Sequence, residues 1–398
     1  MVGNPLAGKA AISGIGRSRI ERKGMTPPMI LLAEAFKQAL DDAGLVRDDI
    51  DGVCTYPGHR DGRDGMAPVG STEAINALGL KVNWYQGGPE GAAQSSALMI
   101  AALAVATGQA RHVLVFRCLN ESSAQATGRR GIGERGGASE VATIGGWLSW
   151  LVPLGASSAV NWAAMYADRI MHEHGLTREQ LGAQAVFQRE CAQHDPGAIM
   201  HGKPLTMADY LSSRMISDPL CLFDCDVPID GAACVIVSTI EAARDCKRPP
   251  LRIEAIGAGL EHGFTWHQRP DLTTMGAHDA AASMWATTDL KPSDVDVAGL
   301  YDGFSIFVPM WLEALGFCGL GEGGPFIGSG ATRLDGAIPT NTNGGQLSSG
   351  RLHGYGLLWE VCTQLRGDGG ARQVKDARVG VVGVGGGPIA GTVLLARE

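Results

Sequence analysis

Tyr301, Arg351, His353 and Tyr355 are the side chains best suited to chemistry in this sequence. The last three share one glycine-rich stretch, Asn341-Thr-Asn-Gly-Gly-Gln-Leu-Ser-Ser-Gly-Arg-Leu-His-Gly-Tyr-Gly356. A phenol titrates at about pH 10, and a nearby cation or hydrogen bonds to its anion lower that value enough for acid–base work. Arg351, four residues before Tyr355, is a candidate for that cation; its alternatives are phosphate binding and an ion pair with Glu360. Asp302 either orients a neighbour or caps a helix starting near Phe304. His353 either shuttles a proton or bonds to the loop backbone, and Asn343 supports the Gly344-Gly345 turn beside it. Backbone N–H groups in two glycine-rich turns, Gly87–Gly91 and Gly385–Gly387, can hold a developing oxyanion. Plainer readings stand beside these. Tyr301 ends an apolar strand, where a tyrosine packs with its hydroxyl satisfied, whereas Tyr355 lies between two glycines. Glu90 suits the first turn of a helix, and Cys118 follows a core strand as an inert thiol.

Such groups need strands that end at a common place. Apolar runs predict strands over Ala10–Ile15, from Asp49 to Val53, Arg111–Arg117, Pro228–Val237, Leu251–Gly257, Asp296–Tyr301, Val379–Gly383 and Thr392–Leu395. Between them, spacing predicts helices over Pro28–Gly44, Ala92–Thr107, Ser305–Leu315 and Gly356–Leu365. The helix Ala92–Thr107 is apolar on all faces, which predicts burial. Residues 120 to 225 differ: Arg129–Gly137 is a polar glycine-rich loop, and helical stretches over Trp162–Glu173 and Arg178–His194 read as an insertion. The result is two βαβ-rich halves, 1–240 and 241–398, without an obvious sequence repeat.

The 398 residues carry 45% hydrophobic and 19% charged side chains, an ordinary globular balance. A formal net charge of −8 without a basic stripe argues against a nucleic-acid partner. No apolar run approaches the roughly 18 residues that span a bilayer, so a cytoplasmic, membrane-free protein is expected. The nine cysteines are scattered, and the one close pair, Cys221 and Cys225, lacks metal or redox spacing; reduced, mostly buried thiols are expected. Glycine, at 57 residues, is about twice its usual share and lies in short clusters, as where loops build a site.

Several blocks together resemble thiolases of the sterol-carrier type: Asp48-Asp-Ile-Asp-Gly-Val, Asp230-Gly-Ala-Ala, Tyr301-Asp-Gly-Phe before Glu313-Ala-Leu-Gly, Asn343-Gly-Gly and Gly385-Gly-Gly. They follow the family's order across almost the whole chain. The resemblance implies a thiolase fold, an α/β protein whose duplicated halves stack as α-β-α-β-α. The catalytic positions depart from the family. Gly91 stands about where the family has its nucleophilic cysteine, and Tyr301 replaces the histidine of His-Asp-x-Phe. Arg351 replaces the histidine of Gly-His-Pro, and the late cysteine falls near Gly383.

These departures resemble steroid side-chain-cleaving aldolases, once labelled lipid-transfer proteins, which carry tyrosines at the positions of Tyr301 and Tyr355. The resemblance implies retro-aldol cleavage of a 17-hydroxy steroid acyl-CoA to a 17-ketosteroid and propionyl-CoA. It implies no metal and no cofactor beyond the substrate's coenzyme A. It also implies an OB-fold, zinc-ribbon-related partner subunit, and a homodimer core within a heterotetramer. Such a reaction needs no covalent nucleophile, only a base, enolate donors and a later acid. Two readings compete: a catalytically silent acyl-CoA-binding subunit, and an acetyl-CoA acyltransferase using an unrecognised cysteine.

Overall fold

The computed structural model describes residues 4, 6–58, 64–88, 92–128 and 145–398. Glu90, Gly91 and the loop Arg129–Gly137 lie outside the described residues. One nine-stranded sheet runs through the molecule. Its first half holds β1 (Ala10–Arg17), β2 (Gly52–Thr55), β3 (Trp84–Gly87), β4 (His112–Asn120) and β7 (Asp230–Thr239). Between the last two lies the insertion, with a small hairpin of β5 (Met215–Ser217) and β6 (Leu220–Cys221). The second half holds β8 (Leu251–Ala258), β9 (Val297–Leu300), β10 (Val379–Gly386) and β11 (Ile389–Arg397).

Strand order is β3-β2-β4-β7-β1-β8-β11-β10-β9. Within the first half, β2 pairs parallel with β3 and β4, and β7 is antiparallel to β4 and β1. The second half repeats the scheme: β9 is parallel to β10, and β11 is antiparallel to β10 and β8. The counterpart of β3 is missing as a strand. In its place the loop at Thr340 makes a single parallel bridge to Ala298. Among the described residues, β1 and β8 join the half-sheets through Ala11↔Arg252 and Ile12↔Leu251.

Helices complete the layers. Helix Pro28–Ala43 covers one face of the first half-sheet and Gly276–Trp285 one face of the second, while Ser96–Ala106 and Tyr355–Arg366 lie between the half-sheets. Helix Pro28–Ala43 starts with proline at its first turn and stops at Gly44 (φ 71°), whose N–H bonds Leu40 O. It buries Leu31, Leu32, Ala35, Phe36, Ala39 and Ala43. The predicted buried helix opens as a 3-10 turn at Ala93–Ser95 and is buried apart from positions such as Leu103. Helix Ala159–His174 and helix Arg178–Ala192 form the body of the insertion. No helix among the described residues is long and apolar enough to cross a membrane.

The two-residue period of β4 sorts its side chains. Leu114, Phe116 and Cys118 pack with helix Pro28–Ala43, and Val113, Val115 and Leu119 pack in the central core. Arg117 falls in the inward phase, so the register places a guanidinium inside the protein. On the other face, Gly16 lets helix Pro28–Ala43 approach β1 closely; a Cβ there would lie 2.0 Å from Ala35 O. Gly16→Val is therefore expected to push the helix off the sheet. A lower thermal midpoint and a loss of about 1–3 kcal/mol in urea unfolding are the expected outcomes.

Candidate active site

A cavity of about 400 Å3 opens beside the ends of β9 and β10. Trp147, Trp162, Trp266, Phe264, Phe304 and Phe307 form most of its wall. Trp147 meets Trp162 edge to face, centroids 4.8 Å apart, and Trp162 packs tilted against Trp266, centroids 5.5 Å apart. Polar groups enter from one side: Tyr56, Asp226, Tyr301, Arg351 and His353. Ala93 (φ 48°), at the opening of the central helix, also lines the cavity.

Tyr301 directly follows β9, and its N–H bonds Gly383 O at 2.8 Å. Gly303 makes room for its ring, since a Cβ there would lie 2.7 Å from Tyr301 Cε1. Burial pushes the Tyr301 phenol above its ordinary range, Asp226 adds to the rise, and Arg351 opposes it. Tyr301 thus stands protonated, a hydrogen-bond donor at the cavity wall. The expectation that a neighbouring cation lowers a tyrosine pKa is overturned here, because desolvation outweighs the cation.

Arg351 lies between two carboxylates. Its Nε donates to Glu121 Oε2 at 2.6 Å and its Nη1 stands 3.0 Å from Asp226 Oδ1. Burial works against its charge, but Asp226 and Glu121 more than compensate and hold its pKa above the ordinary arginine value. The alternative pairing with Glu360 does not form; Glu360 accepts instead from Arg372 Nε at 3.0 Å and Thr342 Oγ1 at 2.7 Å.

Arg351 is also not the cation for Tyr355. Four residues face one another on a helix, but helix Tyr355–Arg366 begins only at Tyr355, after left-handed turns at His353 (φ 55°) and Gly354 (φ 88°). Tyr355 is absent from the lining of the large cavity and borders a separate void of about 20 Å3 with Gln94, Leu98 and Val384. Its hydroxyl has no hydrogen-bond partner among the described residues. Burial raises its pKa, Cys54 adds, and the opposing cation is Arg117. Gln94 borders both spaces.

Arg117, fully buried, donates from Nη1 to Tyr56 O at 2.6 Å, and its Nη2 lies 3.1 Å from His353 Nδ1. The His353 ring stands edge-on to Tyr301, centroids 6.2 Å apart. Sequence reasoning missed Arg117, Tyr56, Glu121 and Asp226. One signal was present: Arg117 is the only formally charged residue within the apolar run His112–Asn120.

Asp302 caps a helix, but not the one near Phe304, which is fixed instead by Ser305 N donating to Asp224 O at 2.9 Å. Asp302 Oδ2 accepts from Gln346 N at 2.8 Å, from Leu347 N at 3.3 Å and from Gln188 Nε2. It thereby caps the short helix Gly345–Ser348 inside the loop. Asn343 Oδ1 accepts from Gly345 N at 2.9 Å, an Asx turn that shapes the loop. Gly385 (φ 88°) and Gly386 border the cavity, and Gly385 O accepts from Trp311 Nε1 at 3.0 Å. Gly91 lies outside the described residues. No described residue lining the cavity is a cysteine. Cys118 faces helix Pro28–Ala43, and burial pushes its thiol up to about 12.

Known proteins share this fold and sequence. Residues 258–396 match the family Thiolase C-terminal domain-like. The chain is 35% identical over 371 residues to the steroid side-chain-cleaving aldolase of Thermomonospora curvata, covering 91% of each chain. It is 37% identical over 366 residues to the 17-hydroxy-3-oxo-4-pregnene-20-carboxyl-CoA lyase of Mycobacterium tuberculosis, covering 91% of this chain and 92% of that one. The solved Ltp2-ChsH2(DUF35) aldolase superposes with a TM-score of 0.86 at 32% identity, covering 98% of both chains. The chain therefore belongs to the thiolase-like family, alongside these carbon–carbon lyases.

Burial raises the Asp302 carboxyl from 3.8 to about 6, against the hydrogen bonds from Gln346 and Gln188. A group raised on folding contributes stability that is fully present below its unfolded value and lost as pH rises through the folded one. Asp302→Asn is therefore expected to gain on the wild type between about pH 4 and pH 6. The gain is about 3 kcal/mol across that window, with a constant difference above it. Urea midpoints through the range measure it; a difference independent of pH would show that Asp302 titrates normally.

Proposed function

We propose that this chain is a retro-aldolase that cleaves the side chain of a β-hydroxyacyl-CoA steroid, giving a ketosteroid and propionyl-CoA. The observation carrying this reading is the placement of Tyr301, beside Asp226 and Arg351, in an aromatic-walled cavity whose described lining holds no cysteine. The relatives' printed activities support the same class. Flat tryptophan and phenylalanine faces suit a rigid polycyclic hydrocarbon, and the volume lies within the range of small-molecule sites. The reading requires no cofactor beyond the substrate's coenzyme A.

In the cleavage, the substrate hydroxyl loses its proton and becomes a ketone as the Cα–Cβ bond breaks. The bonding pair moves into the thioester carbonyl to form an enolate, which then takes a proton at Cα. Tyr301, kept neutral beside Asp226, is the donor to the developing enolate and the acid for Cα. Asp226, on the same wall, is the acceptor for the hydroxyl proton, directly or through the Tyr301 phenol. Tyr355, buried behind the cavity wall with its pKa also raised by burial, takes no part in these proton transfers. Gly385 and Gly386 offer close backbone approach at the cavity wall.

We propose further that the chain works with a DUF35-type OB-fold partner subunit around a homodimer core, in the cytoplasm. Support for the partner is the composition of the related aldolase complex.

Purified chain, with and without such a partner, is incubated with a 17-hydroxy steroid side-chain CoA thioester. Ketosteroid and propionyl-CoA are the expected products, and activity is expected to survive complete iodoacetamide alkylation. Absence of product from folded protein in both conditions refutes the cleavage, and loss on alkylation revives the acyltransferase reading. Tyr301→Phe is expected to lower kcat by about 10²–10³-fold. Tyr355→Phe is expected to cost less, because only Tyr301 borders the cavity.

A further inference from the structure

Arg117 lies outside the acid–base machinery described above, yet it is a fully buried charge beside it. Removing a guanidinium from water costs several kcal/mol unless its donors are engaged. Here Nη1 donates to Tyr56 O and Nη2 meets His353 Nδ1, and the guanidinium carbon lies 5.4 Å from the Tyr56 ring. Burial works against its charge and lowers its pKa, while Glu121 favours the charge. A guanidinium has donors only and no acceptor. His353 Nδ1 facing it must therefore be the lone-pair nitrogen, and the ring proton must sit on Nε2. The backbone holds the ring in place at a cost: His353 has φ 55°, a left-handed conformation that non-glycine residues adopt when surroundings impose it. Because Nδ1 is turned into β4 while His353 borders the cavity, the opposite edge of the ring is the one directed toward it.

We propose that Arg117 is a positioning residue: its guanidinium locks His353 as the neutral Nε2–H tautomer, making it a fixed hydrogen-bond donor beside Tyr301 rather than a proton shuttle. The activity readout rests on the cleavage reading; the tautomer readout does not.

Long-range ¹H–¹⁵N correlation spectra of the full chain labelled at histidine nitrogen test this, with His353 assigned through His353→Gln. The expected wild-type signal is the Nε2–H tautomer at neutral pH. Arg117→Met is expected to release the ring into a tautomer mixture and to lower kcat about 100-fold with KM changed less than about threefold. Arg117→Lys, keeping one donor, is expected to restore the Nε2–H signal and at least about tenfold of the lost rate. A wild-type Nδ1–H signal, or an unchanged His353 signal in Arg117→Met, overturns the proposal. If Arg117→Met does not fold, the wild-type spectrum and Arg117→Lys decide the matter. A wild type inactive on the steroid thioester, but showing the Nε2–H signal released by Arg117→Met, would sink the cleavage reading and leave the positioning role standing.

Discussion

The buried carboxylate of Asp302 ties together the three parts of the chain that make the site. It begins where β9 ends, accepts from Gln188 of the insertion, and caps the short helix Gly345–Ser348 through Gln346 and Leu347. Remove that acceptor and the loop that delivers Arg351, His353 and Tyr355 loses its anchor. Gly345 (φ 58°) shows how close the fit is, since a Cβ there would lie 2.1 Å from Asp302 Oδ2. Asn341 reinforces the same junction, receiving Leu300 N–H at 2.7 Å and giving its own amide to Leu300 O at 2.8 Å. Asp302 Oδ1 and Gln346 Nε2 have no hydrogen-bond partner among the described residues, so the anchor rests on Oδ2.

Charge is distributed on the same principle. Arg351 is flanked by Glu121 and Asp226, Arg117 is set against a carbonyl and an imidazole, and the phenols between them stay neutral. In water an arginine four residues away would count for little; here desolvation sets the direction for both phenols, and two carboxylates outweigh it at Arg351. The apolar wall of Trp162, Trp266 and Phe307 lowers the local polarity, and charges reach further in such surroundings.

Much of this was legible in the sequence. Strand and helix positions followed from period, and the family followed from blocks such as Asn343-Gly-Gly and Tyr301-Asp-Gly-Phe. Tyr301 and Arg351 do meet at one cavity. The pairing of Arg351 with Tyr355 was not legible, because i to i+4 proximity holds only within a helix and two left-handed residues intervene. Arg117, Glu121 and Asp226 arrive from segments more than a hundred residues away from the loop. Their meeting depends on the register of β4 and the path of the insertion, which local pattern does not encode. For Asp302 the sequence offers either a neighbour to orient or the nearby helix to cap, whereas its partners Gln346 and Leu347 lie 44 and 45 residues on in the loop.

The bridge between Ala298 and Thr340 carries a historical reading. In the first half-sheet the corresponding edge is filled by β3, a regular parallel strand that leads into the central helix. In the second half the chain enters its central helix from the same edge with only that one bridge. A duplicated ancestor would have had two equivalent edges. Where the second half has a loop in place of that strand, the backbone passes through left-handed residues at Asn341, Gly344, Gly345 and Gly350. The chemistry thus sits where the internal symmetry of the fold is broken, and diversification within such folds has a natural place to act without disturbing either half-sheet.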